Sequence, residues 1–175
     1  YPEFDFSVHV IPPFSVPKEW YDNISIDPGL NNPLSAHWYA TDWDGNVYVI
    51  AEHFAAGLDV AEHAKRILEI SGRLGWKTDG RGRVSALIDS AANQRTLASS
   101  KSVAELFCER GVLVNAKVNK DVFAGICRVK EYLKRGNGLP DIYIFDTCVN
   151  MIAEFTGYFW ADGDAPVKRD DHCMD

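Results

Sequence analysis

The sequence has no run of the roughly 18 apolar residues that a membrane span needs. Its opening, "YPEFDFSVHV", has neither the basic end nor the continuous apolar stretch of a secretory signal, so we expect a soluble, intracellular domain with no membrane partner. Cysteine is sparse and scattered: Cys108, Cys127, Cys148 and Cys173 form no Cys-x-x-Cys pair. A zinc knuckle and a dithiol redox motif are therefore unsupported, and buried reduced thiols are the default. No stretch reads G-x-x-x-x-G-K-[ST], so this chain carries no phosphate-gripping P-loop. No internal repeat or low-complexity tract is present. Basic residues are nearly missing from the first third, where residues 1–64 hold ten Asp/Glu against one Lys/Arg.

What is present is enough for one core. The 175 residues are 46% hydrophobic, about one ordinary domain. Tyr1 in place of an initiator Met suggests a piece of a longer polypeptide. A net charge of −7 argues against a simple nucleic-acid binder, but the charge is unevenly spread. Residues 65–135 hold fifteen Lys/Arg and seven Asp/Glu, whereas residues 136–175 hold two against eight. Any one of these basic residues reads most simply as part of a solvated helix face. The block as a whole suits a surface that meets polyanion.

Residues 1–20, "YPEFDFSVHVIPPFSVPKEW", have four prolines and no periodicity, which predicts an extended linker or lead-in, with the folded unit over 21–175. Ile24 and Ile26 alternate with polar neighbours, "PLSAHWYAT" and "NVYVIAEHF" are rich in β-branched and aromatic residues, and "DWDGN" between them carries a hairpin Asp-Gly. Three consecutive strands predict an antiparallel meander. From Asp59 the spacing of Val60, His63, Ala64, Ile67, Leu68 and Leu74 predicts a helix capped by Asp59 and stopped at Gly72 or Gly75. "RVSALIDS", "VLVNAKV" and "DIYIFDTC" read as further strands, and "KSVAELFCERG", "VFAGICRVKEYLKRG" and "VNMIAEFTGYFW" as helices. This order predicts an α/β domain, a mixed sheet with helices on its faces.

Two apolar strands, "NISID" and "SALID", each end in an acid, Asp27 and Asp89. Were the strands adjacent and parallel, both carboxylates would meet at one rim and repel unless a proton or cation lay between them. At neutral pH a divalent ion on hard oxygen ligands suits them best. The plain alternative is that each acid caps the turn after it, Asp89 before "SAANQRT" especially. The terminal "DDHCMD" offers a third group. On a helix His172 and Asp175, three apart, share a face, as do Asp171 and Asp175, four apart; the plain alternative is a solvated acidic tail.

Taken in order and spacing, "IDPGLNNP", "ALIDSAA", "GVLVNAKVNKDVFAGICRVKEYL", "PDIYIFDTCVNMIAEFTGYFW" and "DDHCMD" resemble the nuclease domain of the large terminase subunit of tailed double-stranded DNA bacteriophages. The resemblance covers almost the whole chain. It implies the ribonuclease-H-like fold, a three-stranded antiparallel meander plus parallel strands flanked by helices. It also implies that Asp27, Asp89 and Asp175 hold two Mg²⁺ or Mn²⁺ ions, with His172 and Asp171 as neighbouring candidate ligands. The implied activity is two-metal-ion endonuclease cleavage of double-stranded concatemeric viral DNA during genome packaging, in the host cytoplasm. Implied partners are DNA, an N-terminal packaging ATPase domain, the portal and the small terminase subunit. Lys101, Lys117, Lys120, Arg128, Lys130, Lys134, Arg135, Lys168 and Arg169 are then candidate phosphate contacts, sufficient for binding without sequence readout. Rival readings are a Holliday-junction resolvase or transposase core, a non-catalytic docking module whose acids are caps, and a metal-dependent hydrolase of small molecules.

Overall fold

In the computed structural model, the described residues are 1–29, 33–95, 100–118, 121–134, 136 and 138–157. They form a seven-stranded mixed sheet. In chain order the elements are α1 (Phe6–His9), β1 (Val10–Ile11), β2 (Tyr21–Asp27), β3 (Leu34–Thr41), β4 (Val47–Ala55), α2 (Val60–Leu74), β5 (Val84–Ile88), α3 (Val103–Glu109), β6 (Val112–Asn115), α4 (Val122–Leu133), β7 (Ile142–Phe145) and α5 (Val149–Gly157). Across the sheet the order is β1-β7-β4-β3-β2-β5-β6. β3 is antiparallel to both its neighbours, while β5, β6, β7 and β1 join in parallel pairings.

The meander follows from its side chains. Trp38 of β3 is fully buried opposite Ile24 of β2, and its indole N–H donates to Ser71 Oγ of α2 at 3.0 Å. That bond locks α2 over one face, where Ile24, Ile26, Ala36 and Ile88 pack. The hairpin between β3 and β4 is held by Asp42, whose carboxylate accepts from the backbone N–H groups of Asp44 and Asn46, the Asn46 amide and the Tyr48 hydroxyl. The expected cap of α2 is a full capping box between Asp59 and Glu62, and its stop is Gly75, whose φ of 65° a side chain would disfavour. A second box, Ser102 with Glu105, starts α3.

The lead-in departs from expectation. Residues 1–20 are not an extended linker, because Val10–Ile11 adds a parallel edge strand to β7 and His9 is fully buried. The His9 ring donates from Nε2 to the Leu133 carbonyl at the end of α4 at 2.9 Å. Phe4 stacks on Phe155 of α5, and Phe14 meets Tyr48 and Phe145 edge-on. The aromatics of the segment supply the burial that its prolines deny to regular structure.

Candidate metal and nucleic-acid site

β2 and β5 are adjacent and parallel, with Ser25 opposite Leu87 and Ile26 opposite Ile88. The Asp89 N–H donates to the Ile26 carbonyl at 3.3 Å, which carries the pairing one residue past the end of β5. Asp27 and Asp89 therefore sit side by side at the carboxyl ends of neighbouring strands, about 4.8 Å apart in backbone. Side chains alternate along a strand, so both acids share the face of Ser25 and Leu87, opposite to Ile26 and Ile88. Immediately after Asp27 the chain turns away through Pro28 and Gly29, whose φ of 50° is left-handed and whose N–H donates to the Asp27 carboxylate at 3.3 Å.

Asp89 does cap the turn after β5. Its carboxylate accepts from the Ala91 N–H at 2.6 Å and starts a 3-10 turn over Ser90–Asn93. An ionised carboxylate offers about four lone-pair sites on its two oxygens, so cap and ligand are compatible roles. Two hard carboxylates on one face at one rim fit a divalent ion by donor chemistry. Among the described residues no group of three or more His, Cys, Asp or Glu converges closely enough to hold one. Asp171, His172 and Asp175 lie outside the described residues.

One row behind these acids the same face is polar and buried, a feature that the sequence patterns did not point to. His37 of β3 lies opposite Ser25, and Glu52 of β4 lies opposite His37. Both are almost sealed from solvent, and their side chains approach to 3.6 Å. Among the described residues the His37 Nε2 finds no hydrogen-bond partner. Glu52 accepts from the Asn150 N–H at 2.9 Å, the Asn150 amide at 2.8 Å and the Met151 N–H at 3.0 Å, all in the first turn of α5. Burial pushes the Glu52 carboxyl up, but the His37 ring and these donors outweigh it and hold the group below its ordinary value, hence charged. The only hint in sequence was a polar pair, His37 and Glu52, within strands otherwise suited to burial.

The basic candidates separate by place. β6 ends at Asn115, opposite Leu87, so the exposed Lys117 follows at the acid rim, and α4 starts seven residues after β6 with exposed Val122 and Phe123. Arg128, also exposed, lies midway along α4. Lys130 and Lys134 fall toward its far end, up to about 18 Å from its first residue by helix rise, and Lys134 is paired with Glu131 at 2.7 Å. Lys101 is paired with Glu109 at 2.5 Å. Lys120, Arg135, Lys168 and Arg169 lie outside the described residues.

On the opposite face a groove of about 680 Å³ opens from the same rim, lined by Pro28, Gly29, Leu34, Leu58, His63 and Arg110 among others. Beside it His53 Nε2 of β4 and His63 Nδ1 of α2 lie 2.9 Å apart, one donating and the other accepting, an arrangement that a doubly protonated pair cannot make. Burial, then the His63 and Arg66 charges, bring His53 down to about 4. Burial also lowers His63, against the pull of Glu62, Asp59 and the Leu58 carbonyl. Both folded values lie below the unfolded value of about 6.5. The unfolded chain therefore takes up protons first, so this stability is intact above about pH 6.5 and is lost as pH falls toward 4. Urea midpoints measured at pH 7 and at pH 4.5 should show the loss, and His53→Leu should flatten it; equal slopes in parent and variant would contradict this.

No family model and no curated protein matches the chain in sequence. Solved structures do match. The nuclease domain of the P22 large terminase superposes with a TM-score of 0.78 at 15% identity, over 98% of this chain and 84% of that one. The large terminase of a thermophilic bacteriophage gives 0.75 at 24% identity, over 99% of this chain and 42% of that one, so the chain spans about two fifths of that protein. The nuclease domain of the bacteriophage SPP1 large terminase, solved with bound Mn, gives 0.62 at 16% identity, over 95% of this chain and 90% of that one. At these identities the likeness establishes the fold, the ribonuclease-H-like α/β architecture that the sequence resemblance implies.

Proposed function

We propose that this chain is the nuclease domain of a phage large terminase, a metal-dependent endonuclease that cuts double-stranded concatemeric viral DNA during genome packaging. The observation that carries the reading is the placement of Asp27 and Asp89 on one face at adjacent parallel strand ends. The fold shared with three terminase structures, one of them holding Mn, supports it.

In this reading Asp27 and Asp89 would hold Mg²⁺ or Mn²⁺ through hard carboxylate oxygens, with Asp175 as third ligand and His172 and Asp171 as further candidates. Ions held by these residues would supply a water nucleophile at neutral pH and Lewis acidity at the leaving oxygen. The acids remain ligands throughout and never attack phosphorus. Pro28 and Gly29 take the chain off the rim and keep bulk away from the phosphodiester. Lys117, with Arg128 behind it, draws the backbone to the rim without reading bases. The acidic hairpin around Asp42 and Asp44, at the opposite end of β3, repels phosphate and so orients the duplex. Beyond this chain the reading implies an N-terminal packaging ATPase domain, portal and small-subunit partners, and action in the host cytoplasm.

Incubation with supercoiled plasmid tests the proposal. Nicked and linear products should appear with Mn²⁺ or Mg²⁺ and vanish with EDTA. Activity confined to branched junctions would instead indicate a resolvase. An intact plasmid with either metal would sink the nuclease reading.

A further inference from the structure

Glu52 lies outside the acid set, yet it ties the sheet to α5 by side-chain hydrogen bonds. It sits on β4, two strands from Asp27 and one row behind it on the same face. Its carboxylate is largely buried and gathers three donors from the first turn of α5, a nine-residue helix. A helix N-terminus carries unsatisfied N–H groups and a positive dipole end, and a buried carboxylate satisfies both. What distinguishes this cap is that it comes from another element. The caps of α2, α3 and α4 are Asp59, Ser102 and Asp121, each the residue that precedes its own helix. The Glu52 cap instead fixes where α5 stands on the sheet, 98 and 99 residues away in sequence. His37 packs against the same carboxylate from β3, the strand paired to β2 beside Asp27.

α5 begins at the carboxyl end of β7, the end of the sheet at which Asp27 and Asp89 lie, and the chain beyond it carries Asp171, His172 and Asp175. We propose that Glu52 is a positioning residue for the metal site: by anchoring the start of α5 on the acid-bearing face and packing against His37, it holds in place the row that backs Asp27 and Asp89. The inference rests on the nuclease reading. Glu52 touches neither metal nor DNA in this role, so it governs the organisation of the site and not the affinity for DNA.

The test compares Glu52→Gln with Ser71→Ala, which removes the acceptor of the Trp38 indole toward the far end of α2, away from the acids, in the 175-residue chain below the melting temperature of each variant. Glu52→Gln keeps one acceptor oxygen for Asn150 and loses the charge and the acceptor for Met151. Its plasmid-cleavage kcat should fall about tenfold or more, as removal of groups supporting a metal site does. The Mn²⁺ concentration for half-maximal rate should rise, and KM for DNA should stay near the parent's. Ser71→Ala should lower the melting temperature with kcat unchanged. Asn150→Ala, which removes only the side-chain donor, should give a smaller fall and keeps the comparison readable if Glu52→Gln does not fold. Parent-like kcat and Mn²⁺ dependence in Glu52→Gln, or in Asn150→Ala where only that variant folds, would overturn the proposal, as would an equal loss in Ser71→Ala. A parent chain that cuts no DNA and gives no Mn²⁺ binding by calorimetry overturns the nuclease reading and this inference together, whereas a cutting parent beside an equally active Glu52→Gln overturns this inference alone.

Discussion

Asp27→Asn should leave the chain folded and lower DNA cleavage by at least about a hundredfold, because losing even a group that supports a metal ligand costs up to about that much. The fold should survive because the asparagine oxygen can still accept the Gly29 N–H and keep the turn after β2. Its amide has the volume of the carboxylate but lacks the charge that holds a hard cation. Asp89→Asn should behave alike, since Asn caps a helical turn about as well as Asp does and the Ala91 N–H keeps its acceptor. Plasmid cleavage in Mn²⁺, with circular dichroism as the check on folding, measures both. A folded Asp27→Asn protein cutting at the parent rate would show that the rim acids are structural, with the chemistry placed elsewhere.

The features legible in the sequence are those that local physics dictates. Alternation at Ile24 and Ile26, the Asp-Gly hairpin, and Asp59 three residues before Glu62 each specify an element without help from distant residues. Asp27 and Asp89 were visible because an ionisable group at the end of an apolar strand has few uses, and the parallel pairing of β2 and β5 brings them together. The lead-in was not legible. Its two-residue strand pairs with β7 more than 130 residues later, and nothing in "HVIPP" encodes a partner at that distance. Glu52 and His37 escaped for a related reason: strand alternation assigns them to a face, but only the arrival of α5 buries that face. The basic middle was too coarse a feature, since charge counting cannot show that Lys101 and Lys134 are paired to Glu109 and Glu131 while Lys117 stands at the rim.

Saturating Mn²⁺ should raise the melting temperature of the parent by about 5 to 10 °C. An ion that binds the folded arrangement and not the unfolded chain stabilises the fold by about 2.7 kcal/mol at a hundred times its dissociation constant. A domain of this size gains about 2 to 4 °C per kcal/mol. Asp89 then separates two roles that the sequence left as alternatives and the structure makes compatible. As a cap it accepts the Ala91 N–H at 2.6 Å. As a ligand it stands beside Asp27 on one face, where without metal two like charges repel. Asp89→Asn keeps the cap and removes the repulsion, so with EDTA its melting temperature should equal or exceed the parent's. Asp89→Ala removes both cap and charge, and the lost cap, about 1 kcal/mol, should place it below the Asn variant. Both substitutions remove the same ligand, so both should shrink the Mn²⁺ shift to a small fraction of the parent's. A purely capping Asp89 gives the other pattern, in which Ala lowers the melting temperature while Asn and Ala both retain the full metal response. Melts of the three proteins in EDTA and in Mn²⁺ distinguish the two, because the cap follows the hydrogen-bond acceptor and the metal follows the charge.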